Sequence, residues 1–167
     1  MDHSQDAPQQ DNSRGSSGDT LLIRRAEASD VAAIVAMLAD DPLGATRESP
    51  DDLTPYLAAH TRLAADPNQH LVVAERAGKV VGTLQLTLIP GLSRRAATRS
   101  LIEGVRVHAG ERGSGLGTLL IEWAVETSRA EGCQLVQLTS DATREDAHRF
   151  YERLGFVASH VGFKLQL

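Results

Sequence analysis

A glycine-rich loop at residues 112–117, with the sequence RGSGLG, has the residue types of an anion-binding site. From Leu116 onwards, apolar residues recur at helical spacing as far as Thr127, so a helix is predicted to begin inside the loop. The first N–H groups of a helix have no partner within it and lie at the positive end of its dipole, and glycine lets an anion approach them. Arg112 adds a forked cationic donor that suits phosphate oxygens. Phosphate binding is therefore predicted here, although the same residues also fit a glycine-rich connection beside a solvated arginine.

Three better-known glycine motifs do not fit this loop. A P-loop ends in Gly-Lys-Ser/Thr, but Gly117 is followed directly by Thr118, without a lysine. The dinucleotide fingerprint needs a Gly-x-x-Gly spacing that these evenly spaced glycines lack. A nucleophile elbow needs glycines two residues before and after Ser114, where Arg112 and Leu116 stand instead. The loop fits the pattern Arg-x-x-Gly-x-Gly, read from Arg112 to Gly117.

A carboxylate, Glu103, is the first candidate for acid or base chemistry. It belongs to residues 101–108, where apolar and polar residues largely alternate, as in a strand with one buried face. Simple pleating puts Glu103 on the same face as Leu101 and Val105, an apolar setting that suits a general base working near neutral pH. The alternative is that Gly104 marks a bulge, which resets the register and turns the carboxylate to solvent.

Tyr151 is the second candidate. It shares one face of a predicted helix with Ala147 and Leu154, where its hydroxyl can either donate a proton in catalysis or be a satisfied group in the core. Cys133, the single cysteine, has no activating base indicated by the sequence and is predicted to be an inert thiol. The histidines show no ligand spacing, so no metal site is predicted, and His148 is expected to face solvent.

Positioning these groups requires strands that alternate with helices. Strands are predicted at residues 20–25, 70–76, 79–89, 101–108, 134–139, 156–157 and 161–167. Helices are predicted at residues 30–39, 50–65, from the glycine loop to about 131, and 141–154. This order predicts an α/β fold in which helices cover a layered sheet. Residues 1–19 are polar and are predicted to be a disordered tail, with residues 20–167 forming a single domain.

The glycine loop and a later block, residues 147–156 with the sequence AHRFYERLGF, together resemble the GNAT superfamily of acyl-CoA-dependent N-acyltransferases. The likeness covers roughly residues 20–167. It implies a mixed, mostly antiparallel central sheet of six to seven strands flanked by about four helices. It also implies acetyl-CoA as the cofactor and an acetyl group moved directly, in a ternary complex, to a primary amine of a small molecule or peptide.

The resemblance further implies how the cofactor is held. A bulge at Gly104 is expected to splay two strands, so that the pantetheine arm pairs like an extra strand with the backbone of Val105 and Val107. A backbone N–H near Val105 or Arg106 would polarise the thioester carbonyl, and the diphosphate would lie on the amides of residues 112–118. The predicted cofactor-binding residues are Val105, Arg106, Val107, Arg112, Gly113, Ser114, Gly115, Leu116, Gly117 and Thr118.

By the same resemblance, Glu103 removes the amine proton, directly or through water, and Tyr151 protonates the departing sulfur. A catalytically silent acyl-CoA-binding regulatory module is the alternative function. A non-enzymatic interaction module, in which the loop is merely a tight turn, also stays open. Homodimerisation is common in the family, but no sequence feature decides it.

Composition restricts the partners. The net charge of −5 and the lack of a basic run argue against nucleic-acid binding. The apolar stretches are strand-length and broken by charges, so no membrane span is predicted. A single cysteine cannot form an intrachain disulfide, which makes the cytoplasm the expected location.

The chemical class of the acceptor stays open at this level. The loops at residues 40–49 and 90–100 are expected to border it, again by resemblance. Carboxylates in these loops would attract a cationic amine, whereas arginines would attract an anionic group, so the signs conflict. The carboxylates are Asp40, Asp41 and Glu48, and the arginines are Arg47, Arg94 and Arg95.

Overall fold

Five strands form one sheet in the order β1-β2-β3-β4-β5. The computed structural model describes residues 20–41 and 44–167, so the predicted tail at residues 1–19 lies outside the described residues. Neighbouring strands pair antiparallel except β4 and β5, which pair parallel, so the predicted mixed, mostly antiparallel sheet is confirmed. The strands are β1 (Leu21–Arg25), β2 (Gln69–Arg76), β3 (Lys79–Pro90), β4 (Thr98–Val107) and β5 (Leu135–Leu138).

Four helices of nine or more residues flank the sheet within the described ranges, which matches the predicted number. A fifth, α3, is a single short turn in which Arg94 and Arg95 have positive φ. The helices are α1 (Val31–Ala39), α2 (Thr54–Ala65), α3 (Ser93–Ala96), α4 (Leu116–Ala130) and α5 (Glu145–Arg153). Short 3-10 turns at Ala28–Asp30 and Ala109–Glu111 precede α1 and the glycine loop.

The core that supports the site lies between α4 and the sheet. The apolar positions of α4 recur every three or four residues, so Leu116, Leu120 and Ala124 fall on one buried face. They pack in one cluster with strand residues that include Leu84 and Ile102. The beginning of α4 is therefore anchored by burial, and the glycine loop before it is held beside β4.

The two predicted terminal strands are the main error in the fold. Residues 157–167 have no regular secondary structure, and the sheet has five strands rather than six to seven. Their alternating apolar residues are exposed, with Phe163 94% and Leu165 86% accessible. Alternation predicts a strand with one apolar face, but a strand also needs a backbone partner, and this segment pairs with none of the described strands.

Smaller differences concern where elements begin. β4 starts at Thr98, three residues earlier than predicted, while α2 and α5 start later, at Thr54 and Glu145. Within the part of the chain that the structure describes, no helix combines the length and apolar character needed to cross a membrane.

Candidate active site

A β-bulge interrupts β4 in the middle of the predicted site. Gln85 pairs with Glu103 and Thr83 pairs with Arg106, so Gly104 and Val105 both lie opposite a single residue of β3. Gly104 has a φ of +60°, a conformation that favours glycine. The predicted bulge is confirmed.

The bulge changes which face of the sheet Glu103 occupies. Ile102 is buried in the cluster under α4, and after the bulge Val105 and Val107 pack against that same cluster. Glu103 is exposed. The prediction that Glu103 shares an apolar face with Val105 is therefore wrong, because pleating keeps its register only where no extra residue is inserted. Glu103 instead lines an open cavity of about 240 Å3, together with Gly104, Val105 and Tyr151.

β4 and β5 separate at the bulge. Their parallel pairing ends at Ile102 and Leu138, and β4 then continues to Val107 with β3 as its only partner among the described strands. The His108 N–H donates to the Val81 carbonyl of β3 at 2.8 Å. Because backbone groups of successive strand residues point to opposite sides, those of Val107 are directed away from β3, into the gap.

The glycine loop ends at an uncapped helix start. Gly113 and Gly115 have φ of +82° and +85°, and no described atom lies within 4 Å of the position that a Cβ would occupy at either residue. Gly115 is the N-cap of α4, without a side-chain cap, and Leu119 N–H makes the first intrahelical bond, to the Gly115 carbonyl. The N–H groups of residues 116–118 thus have no partner within the helix, which fits a diphosphate.

Arg112 lies at the mouth of this loop but is ion-paired. Its guanidinium donates to Asp40 Oδ2 at 2.9 Å and to the Asp40 carbonyl at 3.2 Å. Both side chains are more than half exposed. Surface ion pairs of this kind contribute little to stability, so Arg112 can exchange its partner for a phosphate at small cost.

Tyr151 reaches the cavity from α5. Its ring makes edge contacts with Phe150 and Phe156, at centroid distances of 5.1 and 6.0 Å. Desolvation raises the pKa of its phenol, while the charges of Arg144 and Arg106 act in the opposite direction. The phenol therefore remains protonated at neutral pH, as a proton donor must. Its ring packs against the core and the residue lines the cavity, so its role as a proton donor stays a prediction.

Cys133 and His148, which the sequence analysis gave little chemical weight, are both half-buried. Cys133 is half-buried, and burial first of all raises the pKa of its thiol, which keeps it in the weakly nucleophilic form. His148 is half-buried rather than solvent-facing, and its Nε2 lies 2.8 Å from the Asp141 carbonyl, linking α5 to the preceding loop. Within residues 20–41 and 44–167, no group of three or more His, Cys, Asp or Glu residues is arranged to hold a metal ion.

A charged network in the cavity was missed by the sequence reasoning. Asp41 Oδ2 accepts a hydrogen bond from Arg106 at 3.3 Å and forms an ion pair with Arg144 at 3.7 Å. The sequence had indicated Arg106 only through its backbone, and Arg144 not at all. These residues come from three distant segments, so no local pattern could have found the network. The remaining charged residues of the lining are Arg47, Glu103, Asp141 and Lys164.

The sequence profile of the acetyltransferase (GNAT) family matches residues 31–156. The chain belongs to this family. The prediction made from the glycine loop and the later aromatic block is therefore confirmed.

The chain is also similar to individual proteins. The chain is 39% identical over 98 residues to aminoalkylphosphonate N-acetyltransferase of Salmonella typhimurium, covering 59% of this chain and 63% of that protein. It is 39% identical over 90 residues to glucosamine 6-phosphate N-acetyltransferase of Trypanosoma brucei brucei, covering 54% and 59%. The matches thus span about three fifths of each curated relative. A crystal structure of a transcriptional regulator from Bacillus halodurans C-125 is 43% identical, with a TM-score of 0.85, covering 89% of this chain and all of that one.

Proposed function

We propose that this protein transfers the acetyl group of acetyl-CoA to a primary amine of a small molecule. The observation that carries the proposal is the one-sided pairing of β4 after Ile102, next to the uncapped start of α4. A free strand edge can pair with an extended ligand, and a free helix start can bind its phosphates. The family match supports acetyl transfer, and the two curated relatives are named for small amine acceptors.

The chain offers a binding group for each part of acetyl-CoA, which supplies an acetyl thioester when bound. The amides of residues 116–118 and the Arg112 guanidinium would hold the diphosphate. The backbone of Val105 and Val107 would hold the pantetheine arm along the gap between β4 and β5. The Val105 carbonyl already accepts a hydrogen bond from Arg106 Nη1 at 2.9 Å, which fixes that side chain beside the gap.

Glu103 would act as the general base. A free alkyl amine has a pKa of about 10, so it must lose a proton before it can attack at neutral pH. An exposed carboxylate on the wall of the cavity can reach this proton directly or through a water molecule. The role therefore depends on position at the gap and not on burial.

The charge that develops during transfer would be stabilised by two further groups. A backbone N–H near Val105 or Arg106 would donate a hydrogen bond to the acyl oxygen. Tyr151, with its protonated phenol, would donate a proton to the leaving sulfur.

The test has two stages. Acetyl-CoA is titrated while thermal unfolding is followed, and free thiol release is then measured across a panel of small amines. We expect a rise in Tm with acetyl-CoA and thiol release with at least one amine. Arg112→Gln should weaken acetyl-CoA binding, whereas Arg129→Gln, which removes an exposed arginine paired with Glu126 at the far end of α4, should not. A Tm that does not respond to acetyl-CoA would reject the proposal.

A second function is favoured by one comparison. The neighbour with a TM-score of 0.85 is described as a transcriptional regulator, which suits a silent acyl-CoA-binding module. That function predicts the same rise in Tm with acetyl-CoA but no thiol release with any amine. The thiol measurement therefore separates the two.

A further inference from the structure

The cavity carries more positive charge than its own carboxylates neutralise. Its lining includes four cationic side chains and three carboxylates. Two of the cations, Arg106 and Arg144, share the single carboxylate of Asp41, at 3.3 and 3.7 Å. Arg47 and Lys164 form no ion pair with any other described residue.

The ion-paired cluster of Arg24, Asp30 and Glu75 differs from the cavity, because its charges are fully paired within the protein. Arg24 donates to both carboxylate oxygens of Asp30, at 2.7 and 3.0 Å, and to Glu75 at 2.8 Å. One cation thus meets two carboxylates, and its hydrogen-bonding capacity is used within the protein. Such a cluster leaves nothing for a ligand, whereas the cavity offers cationic groups that are only partly used.

Arg47 and Lys164 line the same cavity as Asp141. The Asp141 carboxylate oxygen Oδ1 accepts hydrogen bonds from the Thr143 N–H and hydroxyl, at 2.9 and 2.6 Å. These bonds lower the pKa of Asp141 most, and the charges of Arg47 and Lys164 lower it further. Asp141 is thus already engaged by Thr143, and Arg47 and Lys164 line the same cavity without an ion pair to any other described residue.

The position of Arg47 is built into the fold. Gly44 is buried, and a Cβ there would lie 1.9 Å from the Leu38 carbonyl oxygen, so only glycine allows this close approach. The Gly44 carbonyl accepts from the N–H groups of Arg47 and Glu48 at 2.8 and 2.9 Å. The turn that carries Arg47 is therefore packed closely against the end of α1.

We propose that Arg47, Arg144 and Lys164 bind a phosphate or phosphonate group of the acceptor amine. The inference rests on the proposed function and adds the class of acceptor. A tetrahedral phosphorus oxyanion presents three oxygens and up to two negative charges, so it can engage cations that arrive from three segments. A carboxylate presents two oxygens and one charge. Glu103 lines the same cavity, beside the bulge at Gly104.

The test compares three acceptors with similar chains: 2-aminoethylphosphonate, β-alanine and ethanolamine. We expect the highest kcat/KM for the phosphonate. Arg47→Gln should reduce its preference over ethanolamine about 10-fold, because a hydrogen bond to a charged group contributes about 1.4 kcal/mol or more. Arg129→Gln removes an exposed arginine at the far end of α4, outside the cavity lining, and should leave this preference unchanged. Equal kcat/KM for all three acceptors, or a higher value for β-alanine, would overturn the inference.

Binding of methylphosphonate gives a readout that does not need turnover. We expect it to compete with the amine and not with acetyl-CoA, and to bind about 10-fold more weakly to Arg47→Gln and to Lys164→Gln. Lys164 is exposed, so its variant stays folded even if the Arg47 variant does not. Competition with acetyl-CoA instead would assign the cations to the cofactor and overturn the inference. If methylphosphonate binds as expected but no amine is acetylated, the anion site stands and the proposed function fails.

Discussion

The two halves of β4 differ in the number of strands that they pair with. The upstream half, residues 98–102, pairs with β3 on one side and, from Arg99 on, with β5 on the other. The downstream half, residues 103–107, pairs with β3 alone among the described strands. In the upstream half Ser100 and Ile102 are buried, and Ser100 Oγ lies 2.7 Å from Ser128 Oγ of α4. In the downstream half Glu103 is exposed on the cavity wall.

One inserted residue thus separates a half of β4 that is paired on both edges from a half that, among the described strands, is paired on one edge only. A strand with two neighbours has its backbone groups used by the sheet, so no ligand can pair with its edges. A strand with one neighbour keeps N–H and C=O groups for a ligand. The bulge at Gly104 marks the change from one situation to the other, and substitutions on its two sides should therefore affect different properties.

Glu103→Gln should have the largest effect. Loss of a general base is expected to lower kcat about 100-fold or more, with the free energy of unfolding changed by no more than about 0.5 kcal/mol because the residue is exposed. Steady-state kinetics and urea unfolding measure the two quantities. Glu122→Gln, an exposed carboxylate on α4, is the control. Full turnover in Glu103→Gln would show that Glu103 is not the general base.

Tyr151→Phe, on α5, should have the second-largest effect. We expect kcat to fall about 10-fold to 100-fold, since a proton donor to sulfur is lost. Acetyl-CoA affinity should stay unchanged, because the ring and its packing are kept. Equilibrium binding and kcat are measured on the same preparation, and a parallel loss of both would indicate a structural role for the hydroxyl instead.

Ile102→Ala should affect stability in the upstream half. Removing most of a buried isoleucine side chain is expected to cost about 2–5 kcal/mol. Leu165→Ala, at an 86% exposed position, should cost less than about 0.5 kcal/mol. Both values come from urea unfolding curves. Similar values for the two variants would show that the upstream half is not the packed part of the strand.

Gly104→Ala tests the boundary between the halves. No described atom lies within 4 Å of the Cβ position, so the cost is conformational and amounts to about 1–2 kcal/mol at a φ of +60°. Gly78→Ala is a matched control, because Gly78 has a φ of +73°, equally open space and a position in the β2–β3 turn. The two variants should lose similar stability, but only Gly104→Ala should lose acetyl-CoA affinity. Equal acetyl-CoA affinities of the two variants would show that the bulge is not needed for cofactor binding.

The pH dependence of stability should give the smallest effect. Burial raises the pKa of Tyr151, so its neutral phenol stabilises the fold fully below a pH of about 10, and this contribution is lost as the pH rises through the raised pKa. The fall in Tm between about pH 9 and 11 should therefore be larger in the native protein than in Tyr151→Phe. Identical falls would mean that the phenol is not desolvated.

Local patterns predicted the glycine loop, the bulge glycine and most element positions, because each depends on residues close in the chain. The apolar stripe of α4 fixed its start near Leu116, and the hairpin of β2 and β3 followed from Ala77 and Gly78 between two apolar runs. The face of Glu103 could not be predicted in this way, since one inserted residue inverts an alternating pattern. The terminal strands failed because a partner strand cannot be read from the segment itself.

The sequence by itself determined the family, the helix start that can bind phosphates and the residue types available for acid and base chemistry. Only the tertiary structure decided which of the conflicting charges act together: it paired Arg112 with Asp40, placed Arg106 and Arg144 on Asp41, and left Arg47 and Lys164 without an ion pair among the described residues. The physical reason is the distance along the chain over which each kind of interaction acts. Helix starts and turns depend on backbone preferences of neighbouring residues, whereas charge pairing depends on which distant segments the packed sheet and helices bring within a few ångströms.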